Sequence, residues 1–241
     1  MIWLIVLLTT AVGGFIQGVT GFGCAVMMMA VFPRFFNMLQ APALTSAIAL
    51  GLSITMAWRF RRYIEPAKAL PMAAIYVAVS TVVIRMARNL DLDLLSLVFG
   101  VFLILLALYY LFLSENMTVQ PTLTTALLCA GASGLFGGLF GVGGPLLVLY
   151  FITASRDKES YIANLQIIFL ISNITNTTTR ILSGIYTWDL IPLTLLGMVG
   201  VNLGKMAGLR VLDRIDIARM KKLVYLFIGV SGAINVINCL L

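Results

Sequence analysis

Gly14 to Ala25 reads GFIQGVTGFGCA, and Gly134 to Pro145 reads GLFGGLFGVGGP. Set in register, Gly14 pairs with Gly134, Gly18 with Gly138, Gly21 with Gly141 and Gly23 with Gly143. Each stretch sits inside a long apolar block, 2–33 or 122–153. As one straight helix such a block would measure roughly 48 Å at about 1.5 Å per residue, against a hydrocarbon core of about 30 Å. The glycines offer a way out, by breaking the block in two. Gly21-Phe22-Gly23 and Gly143-Gly144-Pro145 are turn sequences. Proline suits the first turn of a helix, where its missing N–H costs nothing. A second short helix is therefore expected to start near Cys24 and near Pro145. Broken backbone at membrane depth is tolerated only where protein or a water-filled cavity surrounds it.

The rest of the chain fits a lipid environment. It is 61% hydrophobic and 10% charged, with a mean hydropathy of +1.06. Ordinary soluble domains are about 25% charged. The apolar blocks are 2–33, 41–58, 67–84, 94–113, 122–153, 160–179, 190–209 and 218–240, with short charged connections that leave no room for a soluble domain. The start, MIWLIVLL, has no basic region before its apolar run, so no cleavable signal peptide is expected. The net charge of +7 comes from residues at the ends of apolar blocks, which points to topology and anionic lipid rather than nucleic acid. Cys24, Cys129 and Cys239 show no paired spacing, so neither a disulfide framework nor a metal site is implied. There is no histidine, and all nine acids fall between blocks or at their edges. No acid or histidine is left at mid-membrane to act as a proton relay or cation site. Enzymatic chemistry and a cofactor are not expected.

The repeat extends beyond the glycines. Ala43, Ile48, Leu50, Ile54 and Thr55 match Ala163, Ile168, Leu170, Ile174 and Thr175, and Ser53 aligns with Asn173. Pro71 matches Pro192 with one residue inserted, and Asp93 matches Asp216. The chain reads as two related membrane units, 1–120 and 121–241, joined by the linker SENMTVQP. The expected fold is all-α and polytopic. Each half has a glycine-broken first segment, hairpin or kinked helix, followed by three transmembrane helices. If each long block is one kinked span the halves are parallel, and the more basic side carries 11 of the 16 Lys and Arg; if it is a hairpin they are inverted, and that side carries 12. The positive-inside rule barely separates these. Segment length favours the hairpin and inverted repeats. Either way the basic run from Lys205 to Lys222 is cytoplasmic and the C-terminus lies on the other side.

A helix that starts inside the membrane presents unpaired N–H groups and the positive end of its dipole, which binds anions without a charged side chain. Gly21, Gly23, Gly141, Gly143 and Gly144 shape the two breaks, and Gln17 and Thr20 lie within one turn of the first. Gly137 and Phe140 stand at their aligned positions, so the site would be asymmetric. The plainer alternative is helix packing, which glycines spaced by three or four residues also serve. In the second block of the C-terminal half, Gln166, Asn173, Asn176, Thr177 and Arg180 share roughly one helical face. Unpaired amides facing lipid would be costly, so that face should line a cavity or a neighbouring helix. Arg180 either supplies charge to an oxyanion or snorkels to the interface. Gly197, Gly200, Gly204 and Gly208 form a small-residue seam that reads as packing. Lys205, in the same block, is either buried near a site or the first residue of the basic run, and the second reading is favoured.

With these motifs in both halves, the chain resembles the sulfite exporter TauE/SafE family of bacterial membrane permeases over essentially its full length. GFIQGVTGFG and GLFGGLFGVGGP carry most of the likeness. The resemblance implies a multi-pass protein of the bacterial inner membrane that transports small sulfur-containing oxyanions or organosulfonates, and in some members other organic anions. Cys24-Ala25 in the first half, against Gly144-Pro145 in the second, makes the half-sites unlike. The expected function is a secondary transporter of a small anion, with Gln17, Thr20, Gly21, Gly23, Ser53, Gly141, Gly143, Gly144, Asn173, Asn176, Thr177 and Arg180 at its site. Its partners are that anion and the lipid bilayer, and a homo-oligomer is compatible with the composition. The alternative is a membrane-embedded accessory or scaffold protein whose glycines serve packing alone.

Overall fold

The computed structural model describes residues 1–113, 120–211 and 217–240, without the side chains of 113, 211, 217–225 and 238–240. Most of the linker, the acids Asp213 and Asp216, and the side chains of Lys221, Lys222 and Cys239 therefore lie outside the described residues. The described chain is helical throughout, in ten α-helices. These are α1 Ile2–Thr20, α2 Cys24–Val31, α3 Gln40–Phe60, α4 Pro66–Ala87, α5 Leu92–Leu108, α6 Leu123–Phe140, α7 Gly144–Ala154, α8 Lys158–Leu182, α9 Ile191–Val211 and α10 Ile217–Leu240. Six are long and apolar enough to cross a membrane. Helix starts follow ordinary capping chemistry. The Asp157 carboxylate accepts the Ser160 N–H at 2.7 Å and caps α8, and Thr122 and Thr125 form a capping box on α6.

Both long blocks break where the glycines stand. α1 ends on Gly21 and α6 on Gly141, each left-handed, with φ 83 and φ 69. Their N–H groups donate to Gln17 O and Gly137 O, which closes each helix with a left-handed cap. The chain then folds back. Gly13 lies against Cys24, and Gly143 lies against the Ser133 carbonyl. A helix continuing in line would hold such pairs roughly 15 Å apart at about 1.5 Å per residue. Each long block is a hairpin with one long and one short arm.

The two halves interlock. α1 packs on α9 and α6 packs on α4, while α3 pairs with α8 and α5 with α10. α1 and α9 run the same way: Gly14 meets Val201 and Gly18 meets Lys205. α6 and α4 do likewise, with Gly134 against Tyr76 and Gly138 against Ser80. α3 and α8 run oppositely. Asn173 and Ser53 meet midway, the Glu65 N–H just past α3 donates to Asn164 Oδ1 near the start of α8, and Ala43 near the start of α3 clusters with Ile185 past the end of α8. α5 and α10 also cross in opposite senses, Gly100 near Val236 and Ala107 near Gly229. The α3–α4 connection thus lies beside the α7–α8 connection, where Lys68 Nζ donates to Ala154 O at 3.0 Å.

The glycine motif divides in two. Gly14, Gly18, Gly134 and Gly138 bring helix backbones together: a side chain at 14 would collide with the Val201 backbone, and one at 134 with the Tyr76 carbonyl. Gly204 and Gly208 do the same against Ala11 and Phe15, as the seam reading expects. Only the later members of each motif form the breaks.

Candidate functional site

The two breaks meet. Phe22 of the first lies beside Gly144 of the second, where the middles of α3 and α8 cross. A small cavity of about 30 Å³ opens there. Gln17, Gly23, Ser53, Gly141, Gly143, Gly144 and Asn173 line it, together with Tyr76, Phe169 and Ser172. A water needs roughly 10–15 Å³ of such space, so the cavity holds about two waters.

The breaks are not chemically equal. At the first, the Cys24 N–H at the start of α2 already donates to Gln17 Oε1 at 3.2 Å. Gln17 Nε2 donates to Gln166 Oε1 at 3.4 Å, and Gln166 Nε2 donates to Gly21 O at 2.8 Å. The amide pair ties the first break to α8. Thr20 is spent locally: its hydroxyl donates to a carbonyl, Ile16 O or Phe22 O, and it does not line the cavity. The expectation of free donors at this break is corrected for Cys24, because a glutamine side chain supplies its cap. At the second break no side chain caps α7, and Gly137 stands where Gln17 would be. Gly143 and Gly144 line the cavity, so the start of α7 lies against it, where Pro145 contributes no N–H.

Tyr76 takes the room that the glycines leave. A side chain on Gly137 would collide with its hydroxyl, and one on Gly143 with its ring. Tyr76 is 3% exposed, and its hydroxyl lies against Ser172 and Asn176. Asn176 also donates to Gly137 O at 3.5 Å. Thr177 Oγ1 is buried without a hydrogen-bond partner.

Arg180 stands outside the cavity lining, close to Tyr76. It is 2% exposed, so the snorkelling reading is overturned. Its Nη2 donates to Gly138 O at 2.6 Å, while Nε has no partner. Among the described residues no carboxylate pairs with it. A charged side chain at the centre of a membrane helix costs about 2.5–3.5 kcal/mol on insertion scales, and such groups mark substrate paths. One backbone carbonyl does not neutralise a guanidinium.

Lys205 lies in the later part of the seventh apolar block. It lies within α9, half-buried, and donates to Thr55 Oγ1 and Asn202 Oδ1.

A family model described as Sulfite exporter TauE/SafE matches residues 6–234. The chain belongs to the TauE/SafE family. No curated protein and no solved structure matches the chain. As a TauE/SafE member with six helices apolar enough to span a bilayer, it is a multi-pass membrane protein of a transporter family. In this TauE/SafE chain the cavity residues not assigned from sequence include Tyr76, Phe169 and Ser172. Tyr76 left a signal, a phenol in the apolar middle of α4, where a buried hydroxyl needs a partner.

Proposed function

We propose that this protein is a secondary transporter of a small anion, and that the anion binds where the two breaks meet. The observation that carries this reading is Arg180: a buried guanidinium without a carboxylate, bonded to the backbone of the second broken segment. The uncapped start of α7 adds the positive end of a helix dipole. Asn173, Ser53 and the Tyr76 hydroxyl supply neutral donors at the cavity. Among the described residues no acid lines the cavity, so no negative charge there favours a cation over an anion. The family name points to sulfite, and the donor set suits sulfite or the sulfonate group of a small organosulfonate. Such an anion has more heavy atoms than two waters, so the cavity must widen to admit it.

Opposite crossings of α3 with α8 and α5 with α10 support reading 1–120 and 121–241 as inverted repeats. In that arrangement one set of helices rocks against its counterpart about a fixed central site. Positive charge at the α3–α4, α7–α8 and α9–α10 connections supports reading that face as the cytoplasmic side of a bacterial inner membrane, with the C-terminus outside. The test is counterflow in proteoliposomes: labelled sulfite should exchange with unlabelled sulfite or a small sulfonate and be lost in Arg180→Gln. Absence of exchange for sulfite, sulfonates and short carboxylates would refute the transporter reading.

A further inference from the structure

A second basic site lies well away from the central cavity. A cavity of about 540 Å³ opens between the later halves of α3 and α9. Thr55, Trp58 and Arg59 line it from α3, and Lys205, Met206 and Arg210 from α9. No acid lines it. Arg59 and Arg210 stand in the last turns of their helices, where a cation complements the helix dipole. That ordinary role does not cover Lys205, which sits five residues earlier in α9, roughly 7 Å deeper at about 1.5 Å per residue. Its ammonium is held by two neutral oxygens, Thr55 Oγ1 at 2.7 Å and Asn202 Oδ1 at 2.8 Å, and has no carboxylate among the described residues. Arg61 stacks on Trp58 at 4.3 Å and adds a further cation at the rim.

The surroundings identify the ligand. Trp58 is 69% exposed, and Ile54, Leu203 and Met206 are exposed on the same flank, so the groove opens toward hydrocarbon. Tryptophan belongs at the level of lipid headgroups. The groove is far larger than a free oxyanion requires, and its walls are mainly apolar while three cations, Arg59, Lys205 and Arg210, line it. We propose that this groove binds the phosphate of an anionic phospholipid, with Lys205, Arg59 and Arg210 on the phosphodiester and Trp58 and Met206 along the glycerol and upper acyl chain. Basic grooves between transmembrane helices on the cytoplasmic side hold such headgroups. The bound lipid joins α3, which carries Ser53, to α9, which carries the seam packed on α1.

The test measures thermal unfolding of the purified protein in neutral detergent with added phosphatidylglycerol, phosphatidylcholine or glycerol phosphate. Phosphatidylglycerol should raise the midpoint in a saturable way that phosphatidylcholine and glycerol phosphate do not reproduce. Each cation near an anionic headgroup contributes about 1 kcal/mol, so Arg210→Gln and Lys205→Gln should each raise the apparent dissociation constant for phosphatidylglycerol, read from the concentration dependence of the shift, roughly fivefold. Arg85→Gln, far from the groove, should leave it unchanged. Because Arg210 is exposed at a helix end, Arg210→Gln gives a readout even if Lys205→Gln folds poorly. Equal stabilisation by the two lipids, or full retention of the phosphatidylglycerol effect in Arg210→Gln, would overturn the proposal. An equal shift from glycerol phosphate would assign the groove to a soluble oxyanion instead and overturn the lipid assignment. Sulfite exchange plays no part in these readouts, so they stand apart from the transport reading.

Discussion

Asn173 donates to Ser53 at 3.1 Å across the crossing of α3 and α8, and these two residues are each other's aligned counterparts in the two halves. A residue meets its own counterpart only close to a two-fold axis. On the proposed inverted-repeat reading, the contact would put that axis at the edge of the cavity, which both residues line. Asn173→Ala should lower sulfite exchange by roughly 10- to 100-fold, matching the 1.5–3 kcal/mol of a hydrogen bond to a charged group. Ser53→Ala should lower it less, because the amide remains. Exchange rates in proteoliposomes at matched protein content check both.

Tyr76 and Gly137 are a fitted pair, with the hydroxyl occupying the space a side chain would need. Gly137→Ala should destabilise the fold by about 1–3 kcal/mol, as overpacking does. Combining it with Tyr76→Ala should recover much of that loss, because the colliding phenol is gone. Unfolding of the two single variants and the double variant forms a cycle whose coupling energy reports the contact. Strict additivity would mean that the two residues do not meet.

Arg180→Gln separates function from stability. The substitution removes a buried charge without a carboxylate among the described residues, and gives up one hydrogen bond to Gly138 O. Thermal stability in detergent should hold or rise, while anion exchange falls by at least tenfold. A variant that unfolds readily but transports normally when folded would make Arg180 a structural residue.

The packing glycines should behave differently. A side chain at Gly204 would meet the Ala11 carbonyl of α1. Gly204→Ala should lower the unfolding midpoint and the yield of folded protein. The folded remainder should keep the wild-type shift on adding sulfite, because the central cavity is untouched. Loss of that shift would tie the seam to the binding site.

The breaks were legible because they depend on local rules: block length against bilayer thickness, and glycine where the backbone turns left-handed. Helix starts at Cys24 and Gly144 follow from those rules. Packing and binding could not be separated in sequence, since Gly14 and Gly21 look alike. Only the third dimension shows that Gly14 faces Val201 and Gly21 ends a helix. Gln17 was recognised, but its partner Gln166 is 149 residues away and local pattern does not pair them. Tyr76 lies on a helix whose place beside α6 depends on the interlocking of the halves. The burial of Arg180 depends on that too, since a residue near a helix end reads equally well as interfacial. The register of α9 on α1 was also hidden: Gly134 meets Tyr76 as Gly14 meets Val201, about one turn beyond where pairing Pro71 with Pro192 would put it.

The most direct test of an anion site between the breaks is sulfite counterflow in proteoliposomes, comparing the unaltered protein with Arg180→Gln. The account predicts saturable exchange of labelled sulfite in the first and at least a tenfold loss in the second, with both proteins folded. Equal exchange in both would contradict it.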